Sequence, residues 1–271
     1  MIDICESISL AARFRARAIE MSHQAEAAHL ASALSCIDMV AVLYHSVLRI
    51  DANNPKWTDR DRFILSKGHA ATALYAALEY KKFINEIDVA SYGMEGSLLE
   101  EHPSPKLPGI EAATGSLGHG LPIGCGIALA GKIKRQAYRT FVLMSDGECN
   151  EGSVWEACLF AASNKLDNLF ALVDFNKWQA TGRSQEVLQL DPLAEKFRSF
   201  GWNVHEIDGH NHDEILRAIN QVPAIKQKPT MIVAHTIKGK GVSFMEDDNN
   251  WHYRVPTLEE VKLAKKELGI L

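Results

Sequence analysis

FVLMSDGECNEGSVWEACLFAASNKLDNLFALVDFNKWQATG, residues 141–182, is the stretch that decides the fold. It contains an apolar strand pattern at Phe141–Met144, a helical pattern at Val154–Ser163 and a second strand pattern at Phe170–Val173. Strands that alternate with helices of this length form right-handed crossovers within a parallel sheet. Such sheets bind ligands in the crevice at the carboxyl ends of their strands. The two strands end in Ser145-Asp146-Gly147 and Asp174-Phe175-Asn176, so Asp146 and Asn176 are candidates for a site.

The same alternation continues on both sides of this stretch. Further strands are expected at Phe63–Leu65, Val204–Ile207 and Met231–Ala234, and further helices at Arg13–Ser22, Ser35–Val47, Pro192–Phe200, Asp213–Asn220 and after Thr257. Residues 81–118 are rich in proline and glycine, which is typical of loops. The sequence predicts one α/β domain over residues 1–271, with a helical N-terminal segment at 1–60. The expected architecture is a three-layer parallel sheet with helices on both faces.

Composition narrows the classes of function. The 271 residues carry 29 basic and 34 acidic side chains, and the net charge of −5 argues against general nucleic-acid binding. No apolar run is expected to reach the roughly 18 residues of a membrane span, and proline and glycine interrupt the longest candidate, Gly120–Gly131. The acidic N-terminus is unlike a signal peptide, and the five cysteines form no CxxC pair. We expect a cytoplasmic protein with reduced thiols and with neither nucleic-acid nor membrane partners.

Asp146 and Asn176 end two consecutive strands of the predicted sheet, so both side chains point into the same crevice. Carboxylate, amide and carbonyl oxygens are hard ligands that suit Mg²⁺ or Ca²⁺ and not Zn²⁺. Gly147 lets the backbone approach a diphosphate closely, and the helix that follows offers N–H groups. Taken singly, Asp146-Gly147 is typical of a turn and Asn176 of a loop. Their combination favours a metal site.

Two glycine-rich segments invite other interpretations. Gly126–Lys132 has the GxxxxGK spacing of a P-loop, but Ile133 stands where that loop needs Ser or Thr. Gly118-His119-Gly120 does not follow a strand, and its next glycine has the wrong spacing for a dinucleotide fingerprint. Neither segment indicates a nucleotide site.

At these residues the chain resembles the thiamine-diphosphate enzymes, specifically the transketolases. Their motif begins with GDG, passes through EG, EA and NL, and ends in an asparagine; here it is Ser145-Asp146-Gly147, Glu151-Gly152, Glu156-Ala157, Asn168-Leu169 and Asn176. Five further motifs follow the family's order: LSKGHA at Leu65–Ala70, HP at His102-Pro103, TGSLG at Thr114–Gly118, KGxG at Lys238–Gly241 and WH at Trp251-His252. Ala28–Ser32 lies where the family has a GHPG-like turn and keeps its histidine and serine. Ser145, His119 and Trp178 depart from the family pattern, and the role of His119 stays open.

The resemblance implies a thiamine-diphosphate-binding fold and a set of ligands for the cofactor. Asp146, Asn176 and the backbone carbonyl of Trp178 would hold Mg²⁺, with Ca²⁺ as a possible substitute. The cofactor-binding residues would be His69, Gly115, Ser116, Leu117, Asp146, Gly147, Glu151, Glu156, Asn176, Lys238 and His252. Glu151 or Glu156 would also meet a partner subunit, whereas Glu148 is expected only to stabilise a helix dipole.

The histidines divide into two groups. His29, His69, His102 and His252 lie at motif positions and are the candidate catalytic acid–base groups, because histidine titrates near neutral pH. His29, Ser32 and His252 would bind the sugar substrate. The others are expected at the surface, at strand edges or at caps: His23, His45, His205, His210, His212 and His235.

The resemblance also implies a reaction and a partner. Transketolases transfer a two-carbon ketol unit from a ketose phosphate to an aldose phosphate. The family's pyrimidine-binding and C-terminal domains, which carry the activating glutamate, have no counterpart here. We therefore expect the N-terminal subunit of a split transketolase, which needs a C-terminal subunit for activity in an α₂β₂ assembly. Two alternatives stay open: a same-cofactor enzyme with other substrates (deoxyxylulose-phosphate-synthase-like, or a specialised-sugar rather than pentose-phosphate transketolase), and a catalytically silent binding or scaffold subunit.

Overall fold

The computed structural model describes residues 4–221 and 226–270, which contain a five-stranded sheet. All neighbouring strands are parallel, and their order across the sheet is β1-β2-β3-β5-β4. The strands are β1 (Arg62–Leu65), β2 (Thr140–Ser145), β3 (Leu169–Phe175), β4 (Asn203–Asp208) and β5 (Thr230–His235). The five predicted strands and the parallel sheet are confirmed. Every residue of β2 and β3 is buried, as expected for central strands covered on both faces.

Helices cover both faces of the sheet, which confirms the three-layer architecture. One face carries α1 (Ile4–Gln24), α2 (Leu30–Val42), α3 (Ala71–Tyr80), α9 (His212–Leu216) and α10 (Leu258–Glu267). The other carries α5 (Gly120–Lys134), α6 (Gly152–Ser163) and α8 (Leu193–Ser199), while the short α4 (Glu86–Ala90) and α7 (Ser184–Val187) lie in loops. Side chains of β2 alternate between the layers: Phe141 and Leu143 pack on the first, and Val142 and Met144 on the second.

Two apolar segments differ from the sequence-based expectation. A π-helical turn, Leu43–Val47, extends α2, and the segment Leu30–Val47 has the length and composition of a membrane span. The expectation that no apolar run reaches this length was wrong, but 89% of the segment is buried inside the protein, as in a core helix. Gly120–Gly131 is not broken by its proline and glycines, because Pro122 falls in the first turn of α5, where no helical hydrogen bond is lost. All five cysteines are free thiols.

Gly124 in α5 allows the helix to lie close to the sheet. It is buried, and a Cβ atom there would lie 2.5 Å from Cγ2 of Val142. Gly126, two residues later, is exposed and has no atom within 4 Å of a Cβ position. The packing of α5 on the sheet therefore requires glycine at position 124 but not at position 126.

We expect Gly124→Ala to lower the free energy of unfolding by about 1–3 kcal/mol, because the added methyl group overpacks the helix against β2. Gly126→Ala is the matched control and should raise the free energy of unfolding by up to about 1 kcal/mol, since alanine favours the helix. Urea denaturation of both variants measures the difference. Equal effects at the two positions would contradict this account of helix–sheet packing.

Candidate functional site

The candidate site lies at the carboxyl edge of the sheet. Asp146 follows β2, Asn176 follows β3, Lys238 lies shortly after β5, and His69 follows β1. His29 joins them from the start of α2. Because parallel strands all end at this edge, residues from distant parts of the sequence lie around one crevice.

Asp146 is a fully buried carboxylate held by neutral groups. Its oxygens accept hydrogen bonds from the Gly147 N–H (2.9 Å), the Lys177 N–H (2.8 Å) and the Ser184 hydroxyl (2.8 Å). Burial raises the pKa of Asp146 to about 6, although these hydrogen bonds favour its charged form. Among the described residues no cation binds this carboxylate directly. Its hydrogen-bond partners are therefore all neutral, although the Lys67 ammonium favours its ionised form without binding it.

Asn176 is oriented by a buried ion pair. Its Nδ2 donates to Asp174 Oδ2 (3.1 Å), and its Oδ1 accepts from the Trp178 N–H (3.0 Å). Asp174 also accepts hydrogen bonds from Lys67, Ser35 and Thr236. Burial alone disfavours its charged form, but the Lys67 ammonium and these bonds hold the pKa of Asp174 below its usual range. The amide oxygen of Asn176 thus has a fixed direction.

Sequence reasoning gave no role to Lys67 or Asp174, although Lys67 lies inside the LSKGHA motif. Both side chains are fully buried, and Nζ of Lys67 donates a second hydrogen bond to the Ser32 carbonyl (2.8 Å). The only signal in the sequence was a carboxylate within the apolar strand LFALVDF.

The loop that follows Asn176 is stabilised by contacts among Trp178, Arg183 and Asp247. The Arg183 guanidinium lies 3.7 Å from the centre of the Trp178 ring, and both side chains bind Asp247. The Trp178 carbonyl accepts no hydrogen bond from residues 4–221 and 226–270. These residues contain no group of three or more His, Cys, Asp and Glu side chains that could hold a metal. A metal here therefore depends on amide and carbonyl oxygens beside Asp146.

Gln179 is a third residue that the sequence did not reveal. Its Nε2 is buried without a hydrogen-bond partner among the described residues, and its side chain lies against Gly147. An unpaired buried donor next to Gly147 suits an anionic group in the crevice.

Lys238 is a buried cation with neutral partners. Its Nζ donates to Asn249 Oδ1 (2.7 Å) and to His252 Nδ1 (3.0 Å). Burial, and then repulsion from Lys67, lower the pKa of Lys238 to about 8. The loop needs glycine beside it: Gly239 has φ +77°, and a Cβ there would lie 2.3 Å from the Met245 carbonyl oxygen. In the described part of the chain no carboxylate is bonded to this ammonium.

Three of the four candidate histidines form a ring cluster. His29 has a left-handed φ of 69°, and its N–H donates to the His252 carbonyl (2.9 Å). The His29 ring centre lies 5.1 Å from that of His252 and 5.5 Å from that of His69. Burial lowers the pKa of all three, for His252 to about 3 with a contribution from Lys238. They are neutral at pH 7, and the Lys238 bond to His252 Nδ1 leaves the proton of His252 on Nε2.

The Thr114–Gly118 loop adjoins the fourth histidine. Gly115 has φ +147°, and a Cβ there would lie 2.7 Å from Cδ2 of the exposed His102. Ser116 is exposed and Leu117 half-buried. His119, whose role the sequence left open, is exposed, and its Nδ1 lies 3.1 Å from the Leu117 carbonyl oxygen.

The interpretation of Glu148 as a helix-dipole residue was wrong. The side chain is buried and accepts hydrogen bonds from the Ser66 hydroxyl, the Gly118 N–H (2.9 Å) and the Ser145 N–H (3.3 Å). It therefore joins three loops of the site. Glu151 and Glu156 are exposed.

Two histidines expected at the surface, at strand edges or at caps have a different environment. His212 is buried and His210 partly buried, and each ring binds the carboxylate of Asp38. Nothing in their sequence spacing indicated Asp38, which lies far away in α2.

Comparisons with known proteins agree on one family. Residues 7–271 match the family described as "Transketolase, thiamine diphosphate binding domain". The chain is 42% identical over 255 residues to an apulose-4-phosphate transketolase subunit of Phocaeicola vulgatus, in an alignment that covers 94% of this chain and 91% of the relative. It is also 42% identical over 241 residues to the 6-deoxy-6-sulfo-D-fructose transketolase subunit SqwG of a Clostridium species, covering 89% and 88% of the two chains.

A solved structure shows the same fold. The transketolase of Campylobacter jejuni superposes with a TM-score of 0.93 at 29% identity, over 98% of this chain and 43% of that one. The chain thus spans less than half the length of the solved transketolase. From its sequence, its sheet and its relatives, the chain belongs to the transketolase family and carries the family's thiamine diphosphate binding domain.

Proposed function

We propose that this chain binds Mg²⁺–thiamine diphosphate and, together with a partner subunit, transfers a two-carbon ketol unit from a ketose to an aldose. One observation carries the proposal: the crevice contains a buried anion, Asp146, and a buried cation, Lys238, and neither forms a direct ion pair with a described residue. Isolated buried charges are costly. A divalent cation at Asp146 and a diphosphate at Lys238 would compensate both.

The chain's own groups fit this assignment. Asp146, the amide oxygen of Asn176 and the Trp178 carbonyl form the hard oxygen set that Mg²⁺ prefers, with Ca²⁺ as a substitute. Asp174 fixes the Asn176 amide, as outer-shell partners commonly do for metal ligands. Gly147 and Gly115–Leu117 would let backbone approach the cofactor, and the unpaired Nε2 of Gln179 would donate to its diphosphate.

The histidine cluster would serve the sugar. When bound, thiamine diphosphate supplies an electron sink that allows the carbon–carbon bond beside a ketose carbonyl to break. His29, His69, His102 and His252 would bind sugar hydroxyls and move their protons, with Ser32 as a further contact. Because burial keeps His29 and His69 neutral at pH 7, each can accept a proton from a hydroxyl group. His252, whose Nδ1 is bound to Lys238 and whose Nε2 carries the proton, can donate a hydrogen bond to a sugar oxygen.

The relatives favour an unusual sugar as substrate. Two relatives that match this chain along most of their length are named for apulose-4-phosphate and for 6-deoxy-6-sulfo-D-fructose. We therefore propose that the substrate is a specialised sugar that carries a phosphate or sulfonate group, in preference to a pentose phosphate. Turnover assays with both classes of ketose distinguish the two.

The need for a partner is supported by an exposed apolar face on α5 and α6. Leu159 is 57% and Phe160 43% exposed, and a cavity of about 340 Å³ opens beside Phe160, Pro122 and Gly126. Large exposed apolar side chains beside a cavity are typical of interaction sites. Glu151 and Glu156 are exposed in the same region, and two relatives are themselves named as subunits. The partner would carry the pyrimidine-binding and C-terminal domains in an α₂β₂ assembly.

Asp146→Ala should weaken Mg²⁺-dependent binding of thiamine diphosphate by at least about 100-fold. Loss of an outer-shell partner already weakens metal binding by about 10- to 100-fold, and Asp146 is proposed as a direct ligand. The reason is that Asp146 supplies the one full negative charge of the proposed metal shell. Asp167→Ala is the control, because Asp167 is a partly exposed carboxylate just before the opposite end of β3. Calorimetric titration of the assembled protein, with Mg²⁺ and with chelator, measures the affinity. Unchanged affinity in a folded Asp146→Ala protein would remove the metal assignment.

The affinity for thiamine diphosphate should fall as the pH rises through about 8. Below that pH Lys238 is charged and attracts the diphosphate. Above it the free protein must first bind a proton, so the affinity falls by up to about tenfold per pH unit. Lys238→Met should bind weakly and should lose this dependence between pH 7 and 9. A wild-type affinity that stays constant over that range would show that Lys238 does not meet the diphosphate.

Ketol transfer should require the partner subunit. The chain alone is expected to be inactive, and Leu159→Glu should weaken assembly by at least about tenfold because it places a charge in the apolar face. Leu263→Glu is the control: Leu263 is 47% exposed on α10, in the opposite helical layer. Light scattering gives the assembly, and an assay of ketol transfer gives the activity. Full activity of the chain alone would contradict the split enzyme, and cofactor binding without transfer in the assembly would favour a silent subunit.

A further inference from the structure

We propose that a buried hub, formed by Asp38 with Arg15 and His210, positions the loop that presents Lys238 and thereby sets the affinity for the diphosphate. The proposal rests on the proposed function in one respect, namely that Lys238 meets a diphosphate. Asp38, Arg15 and His210 lie outside every motif that suggested the site, and they act through the loop backbone.

The Asp38 carboxylate binds the other side chains of the hub. Asp38 lies in α2, and the Arg15 guanidinium of α1 binds both of its oxygens, at 3.0 Å for Nη1 to Oδ1 and 2.5 Å for Nη2 to Oδ2. His210 Nδ1 lies 2.7 Å from Oδ2, and His212 Nε2 lies 3.1 Å from Oδ1. Arg15 and Asp38 are both buried, so the ion pair has little water to compete with it.

The hub reaches the loop at two places on either side of Lys238. The Ile237 N–H donates to His210 Nε2 (2.8 Å), and Nε of Arg15 donates to the Lys240 carbonyl (2.8 Å). Between these contacts the Gly239 N–H donates to the Ala31 carbonyl of α2 (3.0 Å). The backbone on both sides of Lys238 is therefore fixed to α1 and α2.

Gly241 completes the fit between the loop and Arg15. It has φ +94°, and a Cβ atom there would lie 2.8 Å from Cδ of Arg15. A side chain at this position would push the guanidinium stem away from the loop.

The proton of His210 has a defined place. A backbone N–H can only donate, so His210 Nε2 must carry a lone pair toward Ile237. The ring proton then lies on Nδ1 and is donated to Asp38. The Arg15 ion pair keeps Asp38 charged and so favours this tautomer, in the way that carboxylates orient metal-binding histidines. Asp38, His210 and Ile237 thus form one directional series of hydrogen bonds.

The loop backbone matters because the Lys238 side chain has no anion of its own. Its Nζ binds only the neutral groups Asn249 Oδ1 and His252 Nδ1 within the described chain. An ammonium with such partners takes its place from the backbone that carries it. Preorganised placement of a charge is what lets it bind an anion without reorganisation.

Two substitutions at one position separate the two hydrogen bonds of His210. In His210→Gln the amide oxygen can occupy the place of Nε2 and still accept from Ile237. In His210→Asn the shorter amide can occupy the place of Nδ1 and donate to Asp38, but it leaves the Ile237 N–H unpaired. His212→Asn is the control, because His212 binds the same carboxylate on the side of Ser7 and makes no hydrogen bond to the loop.

We expect His210→Asn to weaken thiamine diphosphate binding by about tenfold, the lower end for loss of an outer-shell contact. His210→Gln and His212→Asn should stay within about twofold of wild type, even if His212→Asn lowers the melting temperature. In the cofactor-free protein, hydrogen exchange of the peptide that contains residues 237–241 should be faster in His210→Asn than in the other two variants. Affinity and exchange that are equal in His210→Asn and His210→Gln would overturn the proposal, as would an equal loss in His212→Asn.

The readouts also distinguish this proposal from the proposed function. A wild-type protein that binds no thiamine diphosphate would defeat the proposed function, whereas the exchange measurement would still test the hub without cofactor. If His210→Asn does not fold, Arg15→Lys takes its place, since lysine can pair with Asp38 but cannot also reach the Lys240 carbonyl. Unchanged exchange of residues 237–241 in folded Arg15→Lys would overturn the hub as a positioning device.

Discussion

The buried pair of Lys67 and Asp174 is the interaction on which the rest of the site depends. Asp174 accepts hydrogen bonds from three separate parts of the chain at once, through Lys67, Ser35 and Thr236, and it orients Asn176, which follows its own strand. Removing one member of such a pair typically costs about 3–5 kcal/mol, because the other charge stays buried. The pair therefore fixes how the loops after three strands approach one another, before any ligand is considered.

The sheet and the main site positions could be predicted from the sequence because both follow from local patterns. β2 and β3 contain the uninterrupted apolar runs Phe141–Met144 and Leu169–Val173, which are typical of strands buried on both faces. Once the strands are known to be parallel, their carboxyl ends must lie at the same edge of the sheet. The proximity of Asp146 and Asn176 follows directly. The left-handed His29 and the Gly115 loop were reached only through resemblance to a family, since their spacing alone indicates no chemistry.

What the sequence did not reveal depends on partners far away along the chain. Glu148 binds Ser66, 82 residues distant, and Asp38 binds His210, 172 residues distant. No periodicity links such pairs, and a glutamate near a helix start is typical of dipole stabilisation whether or not it is buried. For a related reason, the helix α5 was not expected. Whether a glycine breaks a helix or lets it approach the sheet depends on Val142, which belongs to another element.

The charges of Asp146 and Lys238 are each held by neutral groups and not by an ion pair. Asp146 and Lys238 form no ion pair with each other. Instead, each is held by neutral groups, Asp146 by backbone N–H groups and Ser184, and Lys238 by Asn249 and His252. Neutral partners fix the direction of a charge without compensating it, so the free energy of compensation stays available to a ligand. Two buried ion pairs hold the backbone beside these charges in place: Lys67 pairs with Asp174, which binds Asn176, and Asp38 pairs with Arg15, which binds the Lys240 carbonyl.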